Sequence, residues 1–287
     1  MPLVTSEELL EKAQTGGYAV GAFNVENMEM VMAVLAAAEE MNSPVIMQTT
    51  PSTAKYAGLD YYLANVRVAA GRTNVPVVMH LDHGNSFDLA VKAFHTGYTS
   101  IMIDGSKLSF EENIALTKSV TDVCHTSGIP VEGELGKVGG KEDDLENGDD
   151  NPYTDPMEAK KFVERTKVDS LAVGIGTAHG VYKGIPKVNV ERLSEIRAVV
   201  DIPLVLHGTS GVPDDQVRDC VSRGICKVNY ATDLRIAFTK GVKEYMAANS
   251  DAFDPKMYSA QGMKEVTAYV KQKMEVVGSV GKANDCH

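Results

Sequence analysis

Three histidines, each closing a short apolar run and each followed by glycine, are the residues of this chain best suited to chemistry. They are His83 in Val75-Pro-Val-Val-Met-His-Leu-Asp-His-Gly84, His179 in Leu171-Ala-Val-Gly-Ile-Gly-Thr-Ala-His-Gly180 and His207 in Pro203-Leu-Val-Leu-His-Gly208. Neutral imidazoles suit zinc, and three of them leave a coordination position open for Lewis-acid catalysis. Singly, each reads as a buried structural histidine. Together, at the ends of runs that read as buried strands, His83, His179 and His207 predict one metal site. Asp82 immediately precedes His83, where a carboxylate can orient an imidazole or exchange a proton with a metal-held substrate. His80 lies three residues before His83, points differently along a strand, and reads as support or core. His95, His125 and His287 fall on helices or the tail and have no assigned role.

The elements that must position these residues follow from hydrophobic runs and periodicity. Strand-like runs occur at 19–24, 44–50, 76–80, 100–104, 130–134, 170–175, 203–206 and 225–229. Helix-like segments lie between and after them, at 26–41, 60–70, 87–96, 110–126, 157–166, 190–200, 213–223 and 233–248. Eight alternations of strand and helix predict an α/β fold, a parallel (β/α)8 TIM barrel occupying 1–287 as one catalytic domain. An open doubly wound sheet would place a glycine-rich phosphate loop after its first strand, and Phe23-Asn-Val-Glu-Asn-Met28 lacks one. Helix starts carry the expected signals, such as Ser109 ahead of Glu111 and Glu112, and Asp155-Pro156 ahead of Glu158.

In such a barrel the C-terminal strand ends converge on the face where chemistry occurs. Those ends are Asn24 and Thr50, both expected to touch substrate, Asp82 with His83, Asp104, Glu134, His179, His207 and Asn229. Asp104 and Glu134 suit either the metal's surroundings or loop and helix N-terminal amides. Gly180, then Gly208, Thr209 and Ser210, then Asn229, Tyr230, Ala231 and Thr232 follow strands six to eight, where backbone N–H groups and hydroxyls commonly bind phosphate. The connection of about 136–155 is long for a compact domain, reads as structureless and mobile, and carries Glu142 beyond the pair Gly139-Gly140. Glu142 could reach over the site as a loop-borne base; Asp143, Glu146, Asp149 and Asp150 read as solvated acids.

Composition excludes several classes. At 287 residues, 44% hydrophobic and 23% charged, this is the make-up of an ordinary globular protein. A formal net charge of -11 argues against a nucleic-acid partner, which needs cationic surface. No apolar stretch approaches the ~20 residues of a membrane span, and no signal-peptide pattern opens the chain, so a cytoplasmic, non-membrane protein is expected. Cys124, Cys220, Cys226 and Cys286 have neither zinc-site spacing nor disulfide density.

The motifs His80-Leu-Asp-His-Gly84, Met102-Ile-Asp-Gly-Ser106, Val131-Glu-Gly-Glu-Leu-Gly136 with Gly139-Gly-Lys-Glu-Asp-Asp144, Gly176-Thr-Ala-His-Gly-Val-Tyr182, Leu206-His-Gly-Thr-Ser-Gly211 and Lys227-Val-Asn229 resemble the class II, metal-dependent ketose-bisphosphate aldolases. Within that family the chain is most similar to tagatose-bisphosphate aldolases and their short fructose-bisphosphate relatives. The resemblance implies a lyase that reversibly cleaves a ketose 1,6-bisphosphate, a sugar phosphate, into dihydroxyacetone phosphate and an aldehyde such as glyceraldehyde 3-phosphate through a zinc-stabilised enediolate. It implies Zn2+ on His83, His179 and His207, with Asp104 and Glu134 as an alternative or second metal position. It assigns Asp82 to the C4 hydroxyl proton, Glu142 to the C3 proton, and Gly180, Gly208 to Ser210 and Asn229 to Thr232 to the dihydroxyacetone phosphate site. It implies a homodimer or homotetramer and allows a companion subunit. Tyr230 departs from the smaller residue or Asp of relatives, which suggests a reshaped phosphate pocket. Three alternatives stand beside this reading: the same mechanism on another ketose phosphate, a Schiff-base aldolase using Lys227, and a non-catalytic companion of a catalytic subunit.

Overall fold

The computed structural model describes residues 3–136, 139–142, 145–146, 153–180, 182, 184 and 186–286. In chain order the strands are β1 (Val20–Asn24), β2 (Val45–Thr49), β3 (Val77–Gly84), β4 (Ser100–Ile103), β5 (Val131–Leu135), β6 (Gly139–Glu142), β7 (Leu145–Glu146), β8 (Ser170–Val173), β9 (Ala178–His179), β10 (Leu204–Leu206) and β11 (Ile225–Tyr230). The helices are α1 (Ser6–Gly16), α2 (Met28–Met41), α3 (Pro51–Ala57), α4 (Leu59–Ala70), α5 (Phe87–Thr96), α6 (Phe110–Cys124), α7 (Pro156–Thr166), α8 (Val190–Arg197), α9 (Asp214–Ser222), α10 (Thr232–Ala248) and α11 (Pro255–Val277). Strands β1, β2, β3, β4, β5, β8, β10 and β11 are parallel neighbours in that order and close into a barrel, β11 pairing back onto β1. The expected TIM-barrel architecture is thus observed.

Strand side chains alternate, so each barrel strand divides its residues between the axis and the surrounding helices. Outward residues such as Phe23, Met47, Val77, Met79, Leu81, Ile101 and Val228 join one large apolar cluster under the helices. Inward residues are layered. At the N-terminal end Val20, Ala22, Ile46, Val78 and Cys226 pack on Leu9, Leu10 and Ala13 of α1, which plugs the barrel floor. Further along the axis many inward residues are polar and buried, Gln48, His80, Ser100, Glu132 and Lys227, then Asn24, Asp82, Glu134, His207 and Asn229, beside a small apolar group of Met102, Ala172 and Val205.

Helix starts follow the sequence signals. Ser109 and Glu112 form a capping box on α6, and Asp155 accepts the N–H groups of Met157 and Glu158 with Pro156 in the first turn of α7. Three helices lie outside the eight read from periodicity. Helix α1 has a narrow apolar stripe in a polar sequence, α3 is a single short segment opened by Thr50 and Pro51, and α11 continues past the last barrel helix. A second difference concerns the long connection, which carries strand at 139–142 and 145–146: β6 and β7 pair antiparallel, and β6 pairs parallel with β9. Among the described residues no helix is long and apolar enough to cross a membrane.

Helices α10 and α11 cross at two glycines. A Cβ on Gly241 would lie 2.5 Å from the Gln261 carbonyl oxygen and 2.9 Å from Gly262 Cα. Since the clash is with backbone, Gly241→Ala is expected to lower the unfolding free energy by about 1–3 kcal/mol in urea denaturation. An unchanged transition midpoint would show that the crossing does not depend on this approach.

Candidate functional site

Alternation along β3 puts Val78, His80 and Asp82 on the axis and should turn His83 outward. Instead His83 has φ of 49°, in the left-handed region that non-glycine residues rarely adopt, and the pairing of β3 with β4 shifts register between Leu81 and Gly84. This bulge lets adjacent residues, Asp82 and His83, face the same site. Gly84 is required beside it, because a Cβ there would meet the Met102 carbonyl oxygen at 2.5 Å.

His207, just past β10, sits over the axis with its Nδ1 2.9 Å from His83 Nε2. The His179 ring lies with its centroid 4.9 Å from that of His83. His83, His179 and His207 each offer a ligand atom within 4.8 Å of the others, and His83 with Asp104 and Glu134 forms a second such group. The structure therefore brings together both sets named from the sequence. One detail differs. Strand β8 ends at Val173, and His179 belongs to the separate strand β9, paired with Gly140 of β6.

The outer ring nitrogens decide what the inner ones can do. His83 Nδ1 lies 3.0 Å from Asp104 Oδ2, and His207 Nε2 lies 2.9 Å from Glu132 Oε1. Ionised carboxylates only accept, so both outer nitrogens carry the proton and donate. With both imidazoles neutral, as metal ligation requires, the inner nitrogens, His83 Nε2 and His207 Nδ1, present lone pairs to each other across 2.9 Å. Lone pairs at that distance repel unless a cation lies against them, so the donor set fits a nitrogen-ligated metal ion, with carboxylates orienting two of the imidazoles. Burial would raise the Asp104 carboxyl, but hydrogen bonds from His83 and Ser106 hold it well below the usual carboxylate range.

Asp82 is clamped. Asn24 Nδ2 donates to one carboxylate oxygen at 2.8 Å and Asn229 Nδ2 to the other at 3.0 Å, while Gln48 Nε2 donates to Asn24 Oδ1 at 2.8 Å. Both asparagines, expected to touch substrate, use their amides to aim this carboxylate. Asp82 Oδ1 lies 3.9 Å from His83 Nε2, so a group held at the histidines is within its reach.

Beneath the histidines lies a polar layer largely missed in the sequence. Lys227 Nζ donates to Glu132 Oε2 at 2.8 Å and approaches His80 Nε2 at 3.3 Å. His80 Nδ1 meets Ser100 Oγ at 2.8 Å, and Ser100 Oγ meets Ser6 Oγ at 2.8 Å. Lys227 does face the interior, as the Schiff-base alternative supposed, but it is ion-paired below the site. Burial alone would raise the Glu132 carboxyl, yet the Lys227 ammonium and the His207 hydrogen bond hold it below the carboxylate range. Burial pushes the His80 and His207 imidazoles down, and Lys227 pushes in the same direction. The signal for Glu132 is parity: it sits two residues before Glu134 on the same strand face.

Gly180, Gly208, Thr209, Ser210, Asn229, Ala231 and Thr232, with His179, line one small cavity beside the histidines. Thr232 opens α10, whose Asp233 N–H is accepted by Ser210 Oγ at 3.4 Å. A helix N-terminus with hydroxyls and glycine amides around it suits an anion. Gly208, at φ 64°, packs on the strand carrying His179, where a Cβ would meet Ala178 backbone atoms at 2.8 Å.

Two residues expected to touch substrate are placed apart from the cavity lining. Thr50 is buried and its hydroxyl accepts the Thr53 N–H as the cap of α3. Tyr230 points away from the axis, stacked on Phe23 with centroids 5.6 Å apart, beside Tyr269 and Lys273. Strand alternation explains it: with Lys227 and Asn229 inward, Tyr230 must turn outward, so it does not reshape the anion cavity. The backbone of Glu142 lies in β6, two residues beyond the partner of His179. Its side chain, like Asp143, Asp149 and Asp150, lies outside the described residues.

Acid should destabilise the metal-free protein. The buried His80 and His207 have native pKa values below the ordinary 6.5, so the unfolded chain binds protons that the native state refuses as pH falls through 6.5. The expected result is a thermal midpoint of chelator-treated protein that falls steadily between about pH 7 and pH 5. A flat profile over that window would mean that these imidazoles are not held neutral.

The family model for "Fructose-bisphosphate aldolase class-II" matches residues 4–282. Among solved structures, the chain is similar to the YdjI aldolase from Escherichia coli K12, with 37% identity over 98% of this chain and 99% of that one and a TM-score of 0.87. It is also similar to fructose-bisphosphate aldolase from Campylobacter jejuni, with 26% identity over 98% of this chain and 97% of that one and a TM-score of 0.83.

Proposed function

The chain belongs to the class II fructose-bisphosphate aldolase family, and from that premise we propose that it reversibly cleaves a ketose 1,6-bisphosphate of the fructose or tagatose type into dihydroxyacetone phosphate and an aldehyde. The metal we propose is zinc, held by His83, His179 and His207, with Asp104 and Glu134 as a second position for the ion. The observation that carries this reading is the pair of inward ring nitrogens 2.9 Å apart, each ring backed by a carboxylate, next to a clamped Asp82. Zinc bound there would polarise the substrate ketone and stabilise the negative charge that develops on its oxygen.

The chain's own residues do the rest. In cleavage Asp82 takes the C4 hydroxyl proton, and in condensation it returns it. Its two amide donors fix the carboxylate's direction without supplying a proton of their own at that step. Glu142 on β6 is proposed to move the C3 proton. The cavity formed by Gly180, Gly208, Thr209, Ser210, Ala231 and Thr232 is proposed to hold the dihydroxyacetone phosphate end, its N–H groups and hydroxyls answering the phosphate charge. Lys227 is a poor Schiff-base nucleophile because its ammonium is paired with Glu132 in a closed layer.

The direct test is carbon–carbon cleavage of fructose and tagatose 1,6-bisphosphates, with condensation of dihydroxyacetone phosphate and a panel of aldehydes to read product configuration. Chelation should abolish turnover and zinc should restore it. Asp82→Ala is expected to keep its zinc and lose about 100- to 10,000-fold in kcat. His207→Ala is expected to lose both metal and turnover. Full activity in Asp82→Ala, or borohydride trapping of substrate on Lys227 in chelated protein, would overturn the assignment.

A further inference from the structure

We infer that Glu132 and Lys227 are positioning residues: Glu132 selects the tautomer of His207 and so decides which ring nitrogen is presented to a metal ion, and Lys227 fixes which end of that side chain His207 meets. The inference rests on the reading that the three histidines hold zinc, and it does not depend on which substrate is cleaved.

The argument is one of donors and acceptors. An ammonium has three donors and no acceptor, whereas a carboxylate has acceptors only. Lys227 Nζ takes Glu132 Oε2 at 2.8 Å, and its next neighbour is His80 Nε2 at 3.3 Å. His80 can accept there, because its Nδ1–H is satisfied by Ser100 Oγ at 2.8 Å. Glu132 Oε1 is thereby directed at His207 Nε2 across 2.9 Å and can only accept from it. The His207 proton is held on Nε2, and Nδ1 is left as the lone pair facing His83. Lys227, Glu132, His80 and His207 are all buried, so bulk water does not substitute for a missing partner.

This arrangement makes an unusual prediction for a pair of substitutions. In Glu132→Gln the side-chain oxygen must face Lys227, which cannot accept, so the amide NH2 faces His207 Nε2. His207 must then accept at Nε2 and carry its proton on Nδ1, the nitrogen that should bind metal. Adding Lys227→Met removes the constraint. The amide can turn so that its oxygen accepts from His207 and its NH2 points toward His80 Nε2, which lies 3.8 Å from the present Oε2 position. The second substitution should repair the first.

The experiment is zinc affinity by chelator competition on wild type, Glu132→Gln, Lys227→Met and the double variant, each checked for folding by circular dichroism. Glu132→Gln is expected to bind zinc about 10- to 100-fold more weakly than wild type. The double variant is expected to recover most of that loss despite carrying the larger perturbation. Ring nitrogen NMR of 15N-histidine-labelled wild type supplies a readout that needs no variant: His207 should be protonated at Nε2 with zinc bound. An Nδ1-protonated His207 in the zinc-loaded wild type, wild-type affinity in Glu132→Gln, or a double variant no better than Glu132→Gln would each overturn the inference. A wild type that binds no zinc at all would instead remove the metal reading beneath it, and a zinc-binding protein without aldol cleavage would leave the tautomer inference standing.

Discussion

Charge on the axis of a closed barrel must be answered on the axis. The α1 helix packs on the floor and the helices bury the outer faces, so among the described residues Lys227 and Glu132 find their partners in other inward side chains. Removing one member of such a buried pair typically costs about 3–5 kcal/mol, because the other is left uncompensated. Each inward polar residue therefore constrains the next. Ser6 meets Ser100, Ser100 meets His80, His80 and Glu132 meet Lys227, and Glu132 meets His207. The orientation of the proposed metal ligand is the upper end of a chain that begins on the first helix.

Alternation builds this axis, and its breach on β3 builds the candidate site's face. A regular β3 would give the site either Asp82 or His83. The left-handed backbone at His83, with Gly84 lying on β4, gives both, and places the proposed proton acceptor and a proposed ligand about one side chain apart. Strained backbone of this kind persists where surrounding contacts over-determine it. Here Asp104 behind His83, and Asn24 and Asn229 around Asp82, do so from three different strand ends.

Much of this was legible in the chain. The eight barrel strands stand out because buried parallel strands are short apolar runs, and His83, His207, Asp104 and Glu134 stand out because polar residues interrupt those runs where they end. What the runs do not reveal is pairing across strands. Glu132 and Lys227 are ninety-five positions apart, and only barrel register brings them to 2.8 Å. Tyr230 misled for the converse reason: next to Asn229 in sequence, it lies on the opposite face of its strand. Helix α11 and the β6–β9 pairing fall outside the strand–helix repeat, so a reading built on that repeat had no place for them.

The third histidine differs in kind from the other two. His83 and His207 are held by the barrel and by carboxylates behind their rings, whereas His179 stands on β9, a strand outside the barrel sheet. Its backbone partner is Gly140 of β6, the strand that also carries Glu142, and its other flank is Gly208, where no side chain fits. The two rigidly held histidines would thus define where the proposed ion sits, and the third is placed by the same short sheet that carries the proposed C3 base. Geometry at the metal and geometry at that base are consequently one constraint: β6 cannot shift against the barrel without carrying His179 or breaking its pairing with it.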